Sequence, residues 1–137
     1  MMSFTALLCI GTIALAQGVA VFKARLSPVA MDATMRATVA GSGSVTAQLT
    51  GSRLVVNGSF EGLLSPATIA QVHQSAVTGV RGPVVFDMTI GKATSGTIDG
   101  SFDLTPDQAE SLRKGRLYVQ IHSAKAPEGN LWGWLLP

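Results

Sequence analysis

The sequence predicts an all-β domain, a sandwich or barrel of about seven or eight short antiparallel strands with one helix near residues 106–114. Three observations carry this. Val, Ile, Thr and Phe recur in short runs broken by Gly, Ser or Asn; glycine is abundant at 15 residues; and one segment alone carries a full set of helix-end signals. A hydrophobic fraction of 47% excludes a disordered chain. The length of 137 residues fits one domain. The net charge is only +2 and the ten basic residues are scattered, apart from Arg113, Lys114 and Arg116, so no nucleic-acid partner is expected.

Val19 to Leu26 is the first expected strand, ended by Pro28, which lacks a donor. The segment Gly41-Ser42-Gly43-Ser44 reads as a loop, and with no helix behind it, it is no phosphate cradle. Ser44 to Thr50 and Arg53 to Phe60 are alternating runs joined by Gly51-Ser52, a hairpin signal. Thr68 to His73, Gly82 to Ile90 and Gly96 to Leu104 give three more strands. Arg116 to His122 and Asn130 to Leu136 close the chain.

The helix lies before the last two strands. Thr105-Pro106-Asp107-Gln108 supplies a capping hydroxyl, a proline at the first helical position and a glutamine at the third. Asp107 and Glu110 fall at the positive end of the helix dipole, Arg113 and Lys114 at the negative end, and Gly115 provides the stop. Ala109 and Leu112, three apart, are expected to face the sheet.

Phe4 to Ala16 is a largely apolar run of 13 residues, the length of a signal-peptide core and short of the roughly 20 that span a membrane. It ends in Ala14-Leu15-Ala16, which places cleavage before Gln17 and leaves residues 17–137 as a single domain. Met1 to Thr5 lacks the usual basic start. Two other readings stay open: an uncleaved anchor continuing through Phe22, or a buried first strand. The one cysteine, Cys9, lies in this segment, so no internal disulfide and no multi-cysteine zinc site exist.

Several blocks together resemble the CHRD (chordin-type) domain family, found in chordin and in many exported bacterial proteins. They are Ser65–His73, Gly82–Asp87, Ser95–Phe102, Leu104–Pro106, Gly115–Ser123 and Pro127–Gly133, in the family's order, with Val21–Leu26 as its opening strand. The resemblance implies an immunoglobulin-like or Greek-key β-sandwich, export and no established enzymatic activity. The chain departs from the pattern at Gln71, where the family usually has a second histidine spaced His-x-His with His73. It departs again at Gly129-Asn130-Leu131-Trp132-Gly133-Trp134-Leu135, where Gly-Glu-Ile-Arg-Gly-Gln-Leu is usual.

His73 and His122 are the two histidines, both at expected strand ends. They read either as a pair of metal ligands or as rings that hydrogen-bond loops and fix turns. A catalytic zinc needs three protein ligands, and no third stands out. No Gly-x-Ser-x-Gly elbow or calcium-loop spacing occurs, so no catalytic machinery and no cofactor are expected. Strand alternation puts Leu131, Gly133 and Leu135 on one face and Trp132, Trp134 and Leu136 on the other. With the first set inward, Trp132, Trp134 and Leu136 form an outer patch that marks a partner interface.

The expected protein is a non-catalytic accessory or binding subunit, exported to the periplasm or the outer face of the cytoplasmic membrane. Its partner is a larger envelope protein or complex, for example a membrane-bound periplasmic dehydrogenase. Membrane association comes through the N-terminal segment or the partner. The alternative is a weak metal-binding or enzyme-like protein using His73 and His122. If the leader is removed, N-terminal sequencing of the secreted chain reads Gln17 first.

Overall fold

The computed structural model describes residues 18–30 and 32–137; the expected leader lies outside them. Eight strands form: β1 Val19–Pro28, β2 Ser42–Thr50, β3 Arg53–Glu61, β4 Ala67–Gln74, β5 Val84–Ile90, β6 Gly96–Asp103, β7 Leu117–Ser123 and β8 Ala126–Trp134. A 3-10 turn at Ala33–Ala37 follows β1, and the helix α1, Pro106–Arg113, precedes β7. Among the described residues no helix is long and apolar enough to cross a membrane.

The strands do not make the expected sandwich. They close into an antiparallel barrel in the order β1-β2-β3-β6-β5-β4-β7-β8. Two four-stranded halves are joined at two narrow corners. At one, β5 and β6 pair through Thr89↔Asp99 and Ile90↔Ile98. At the other, β1 meets β8 through Ser27↔Trp132, Pro28↔Leu131 and an isolated bridge Lys23↔Leu136. So few residues make each corner that the hydrophobic pattern of a strand is the same in a sandwich as in this barrel.

At the β1–β8 corner Pro28 ends the first strand as expected. The next donor, the Val29 N–H, reaches the Asn130 carbonyl at 3.0 Å. Gly133 makes the close approach possible, because a Cβ there would lie 2.4 Å from the Arg25 carbonyl oxygen. The Gly41–Ser44 segment is not the expected loop. β2 begins at Ser42, and Gly43 lies against β3, where a Cβ would meet the Ser59 carbonyl at 2.5 Å. The hairpin at Gly51-Ser52 forms as read, with Gly51 at φ +61° and Thr50 paired with Arg53.

Alternation fills the barrel with apolar side chains. On β7, Leu117, Val119 and Ile121 are fully buried in the core, and on β8 so are Leu131 and, just beyond it, Leu135. Helix α1 closes one end with Ala109 and Leu112, which pack into the same core. Its cap is reciprocal: Thr105 Oγ1 accepts from the Gln108 N–H at 3.2 Å, and Gln108 Oε1 accepts from the Thr105 N–H at 2.9 Å. Thr105→Ala is expected to lower the unfolding free energy by about 1 kcal/mol in urea titrations, without moving the spectrum of the folded state.

Candidate functional site

The outward side of β4, β7 and β8 is unlike the rest of the surface. Opposite the core residues on these strands stand Gln71 and His73, then Tyr118, Gln120 and His122, then Trp132 and Trp134. An outward face is normally solvated, yet Tyr118 is 1% exposed, Gln120 2% and His73 8%. The cover comes from two irregular segments: the connection 75–83 between β4 and β5, and the segment around the 3-10 turn after β1.

Register sorts the outward residues into rows. His73 pairs with Tyr118 and Tyr118 with Trp134; Gln71 pairs with Gln120 and Gln120 with Trp132. The first row is a run of rings. His73 stacks on Tyr118 with centroids 4.7 Å apart, and Tyr118 lies 4.5 Å from Trp134. Trp132 meets Tyr118 edge-on at 5.8 Å and Trp134 at 6.1 Å. Such pairs add about 0.5–1.5 kcal/mol beyond the area they bury.

The covering connection is fastened at Gly82. The Tyr118 hydroxyl accepts from the Gly82 N–H at 3.0 Å and donates to the Gly82 carbonyl at 3.2 Å. His73 Nδ1 donates to that same carbonyl at 2.8 Å. Arg81 then places its guanidinium 5.4 Å over the Trp132 ring. On its other side Trp132 packs with Met35 against a small second core of Val29, Val39 and Ala126.

Trp132 and Trp134 are therefore half-buried members of a ring cluster, brought together with each other and with His73 through Tyr118. Leu136 continues the same face beyond Trp134 and is 47% exposed. It exchanges both backbone hydrogen bonds with Lys23, at 2.8 and 3.0 Å. His122 stands two residues beyond Gln120 on β7 and is half-buried, its Nδ1 donating to the Pro127 carbonyl at 2.8 Å.

Four buried side-chain polar atoms among the described residues have no hydrogen-bond partner: His73 Nε2, Gln120 Oε1, His122 Nε2 and Asn130 Oδ1. All four belong to β4, β7 and β8. Among the described residues no three His, Cys, Asp or Glu side chains gather into a metal-sized group. A broader depression of about 420 Å³ lies elsewhere, along β2 and β3, between Arg25, Ser42–Ser44, Ser59–Glu61 and Ser95. It has a carboxylate and serines but no base positioned on a hydroxyl, so we place the site at the ring cluster. A smaller cavity of about 170 Å³ adjoins the site, between Met35, Thr38, Val39, Lys125 and the start of β8.

A model of the CHRD domain family matches residues 22–135. The chain belongs to the CHRD family. No curated protein and no solved structure matches it. Within this CHRD domain, the position usually held by the second histidine, Gln71, donates instead to Asp87 Oδ1 at 2.9 Å.

Sequence reasoning missed Tyr118, the centre of the cluster, along with Gln120 and Arg81. The signal for the first two was present, since Tyr118, Gln120 and His122 alternate with Leu117, Val119 and Ile121. Arg81 carried none, because its place depends on how the 75–83 connection lies across the sheet.

Burial holds the His73 imidazole below its ordinary value of 6.5; the Gly82 carbonyl opposes this, and the neighbouring His122 and Arg81 act in the same direction as burial. The folded state thus takes up this proton less readily than the unfolded chain. The stability involved is fully present above pH 6.5 and is lost as the pH falls through the lower folded value. Urea midpoints are expected to drop as the pH is lowered through this range. His73→Phe, which keeps a ring against Tyr118 but takes no proton, is expected to flatten that drop.

Proposed function

We propose that this CHRD domain is a non-catalytic, exported binding module that docks onto a larger protein of the cell envelope through the outer face of β7 and β8. The observation that carries this reading is the ring cluster on the outside of a barrel whose inside is already filled. Trp132 and Trp134 stand outward and half-exposed, where most barrel residues are small or polar; the buried Tyr118 ring braces them from beneath, and Arg81 adds a cation over the Trp132 indole. Trp, Tyr and Arg are the side chains that most often dominate binding energy at protein interfaces.

Beside the rings the surface stays apolar. Leu136 and Thr78 both crowd Gly115, which brings the turn bearing Val77 and Val80 to the same end of the barrel. Leu136 is 47% exposed, Val77 58% and Val80 55%. A rigid ring cluster with an exposed aliphatic rim fits a protein surface better than a small solute, which wants an enclosed cavity. An accessory subunit of a membrane-bound periplasmic dehydrogenase is one concrete form of this reading. Membrane association would follow from the partner or from the N-terminal apolar segment.

The test is purification of the native assembly, identification of the co-purifying protein, and measurement of its affinity for the isolated domain. Leu136→Asp and Val80→Asp alter the rim and leave the rings in place, and each is expected to weaken binding at least tenfold. Trp134→Ala is expected to cost about 2 kcal/mol, roughly thirtyfold in affinity. A native protein that runs as a monodisperse monomer, indifferent to all three changes, overturns the proposal.

A further inference from the structure

The two histidines share a local arrangement that their places in the sequence do not reveal. Each ring nitrogen Nδ1 lies 2.8 Å from a backbone carbonyl oxygen, Gly82 for His73 and Pro127 for His122. A carbonyl can only accept, so the proton of each neutral ring sits on Nδ1 and the lone pair on Nε2. Both Nε2 atoms are buried and without a partner. An acceptor buried in that way costs about 1–3 kcal/mol, and a folded protein rarely carries several on one face of a sheet.

Carbonyl-held Nδ1–H with a free Nε2 is the form histidine takes when it binds a metal, because the carbonyl fixes both the tautomer and the direction of the ring. The β4–β7 ladder places a third donor in the row between them: His73 stands opposite Tyr118, Gln120 opposite Gln71 and His122 opposite Ile69. His73 is on β4 and His122 on β7, its hydrogen-bonded neighbour, and Gln120 precedes His122 by two residues on the same outward side. The Gln120 side chain is anchored by its nitrogen, which donates to the Glu128 carbonyl at 3.0 Å, and its Oε1 is buried and unpaired. Directly opposite, on β4, lies Gln71.

We propose that His73 Nε2, His122 Nε2 and Gln120 Oε1 form a binding site for a single copper(II) ion on the outer face of the barrel, under the 75–83 connection. The donor set selects the ion. Two imidazoles and a neutral amide oxygen, with no carboxylate and no thiolate, do not suit calcium or magnesium, which require several oxygen ligands. Imidazole suits copper, nickel and zinc, and copper stands highest in the affinity order of divalent first-row ions. This site uses different atoms from the docking rim and stands or falls separately from it.

The neighbouring rings supply the readout. His73 stacks on Tyr118, which touches both tryptophans, so copper(II) held by His73 lies close enough to quench their emission. The tag-free full chain, stripped with a chelator, is titrated with copper(II) sulfate at neutral pH while fluorescence and heat are recorded. One equivalent is expected to bind with saturable quenching, and calcium is expected to do nothing. His122→Ala and His73→Ala are each expected to weaken binding at least about tenfold, with folding checked by circular dichroism. If His73→Ala fails to fold, His122→Ala decides, because that half-buried ring makes a single hydrogen bond, to the Pro127 carbonyl. Gln71→His, which adds an imidazole opposite Gln120, is expected to tighten binding at least about tenfold. No saturable quenching below roughly 100 µM copper(II) overturns the proposal, as does binding that His122→Ala leaves unchanged. Loss of copper binding with docking intact, or the reverse, tells the failure of one reading from that of the other.

Discussion

The contact between β1 and β8 at Gly133 is the constraint on which the rest of the molecule depends. A side chain there would run into the Arg25 carbonyl, so the barrel closes only because this inward position is empty. Closure fixes β8 between β1 and β7, and that in turn sets Trp132 beside Gln120 and Trp134 beside Tyr118. The two tryptophans flank the glycine in sequence, so the residue that permits closure also separates the rings that close the outer face. Ring cluster and barrel seam are one structural event.

The outer face then behaves as a second, partial core. Val29, Val39 and Ala126 with Met35 and Trp132 form its apolar side, and the tyrosine hydroxyl, two histidines and Gln120 form its polar side. In the barrel interior burial is enough to hold side chains in place, because they are apolar. On the outer face each polar group needs a directed partner, and the backbone carbonyls of Gly82, Pro127 and Glu128 supply them one by one. The Gly82 carbonyl belongs to the irregular 75–83 connection, and those of Pro127 and Glu128 to the first residues of β8. The order of the face therefore depends on one irregular segment and on the start of the last strand.

Much of the local structure could be read from the residues. The Thr105–Gln108 capping box, the Gly51-Ser52 hairpin and the inward–outward alternation on β8 follow from short-range chemistry, and all three appear in the fold. What could not be read was long-range. Closure rests on two corners of a few residue pairs each, between strands far apart in sequence. The Gly41–Ser44 segment looked like a break because glycine usually is one; here Gly43 allows β2 to lie close on β3, whereas Pro28 ends β1 as expected. The site was half legible. His73, His122, Trp132 and Trp134 stood out as rare residues, whereas Tyr118, Gln120 and Arg81 gain their roles only from the register of β7 and the path of 75–83.

Closure also limits the ways in which another protein can recognise this one. Every strand among the described residues has a neighbour on both sides, and rows of unpaired N–H and C=O groups inside the barrel wall are confined to the two corners where β5 meets β6 and β1 meets β8. Elsewhere an extended peptide cannot lengthen the sheet by adding itself as a further strand, the route that many β-rich domains use to capture partners and by which others assemble into fibrils. Away from those corners recognition has to pass through side chains, and the identity of the residues on the outer face, not the backbone, becomes the variable by which members of such a fold can diverge in what they bind.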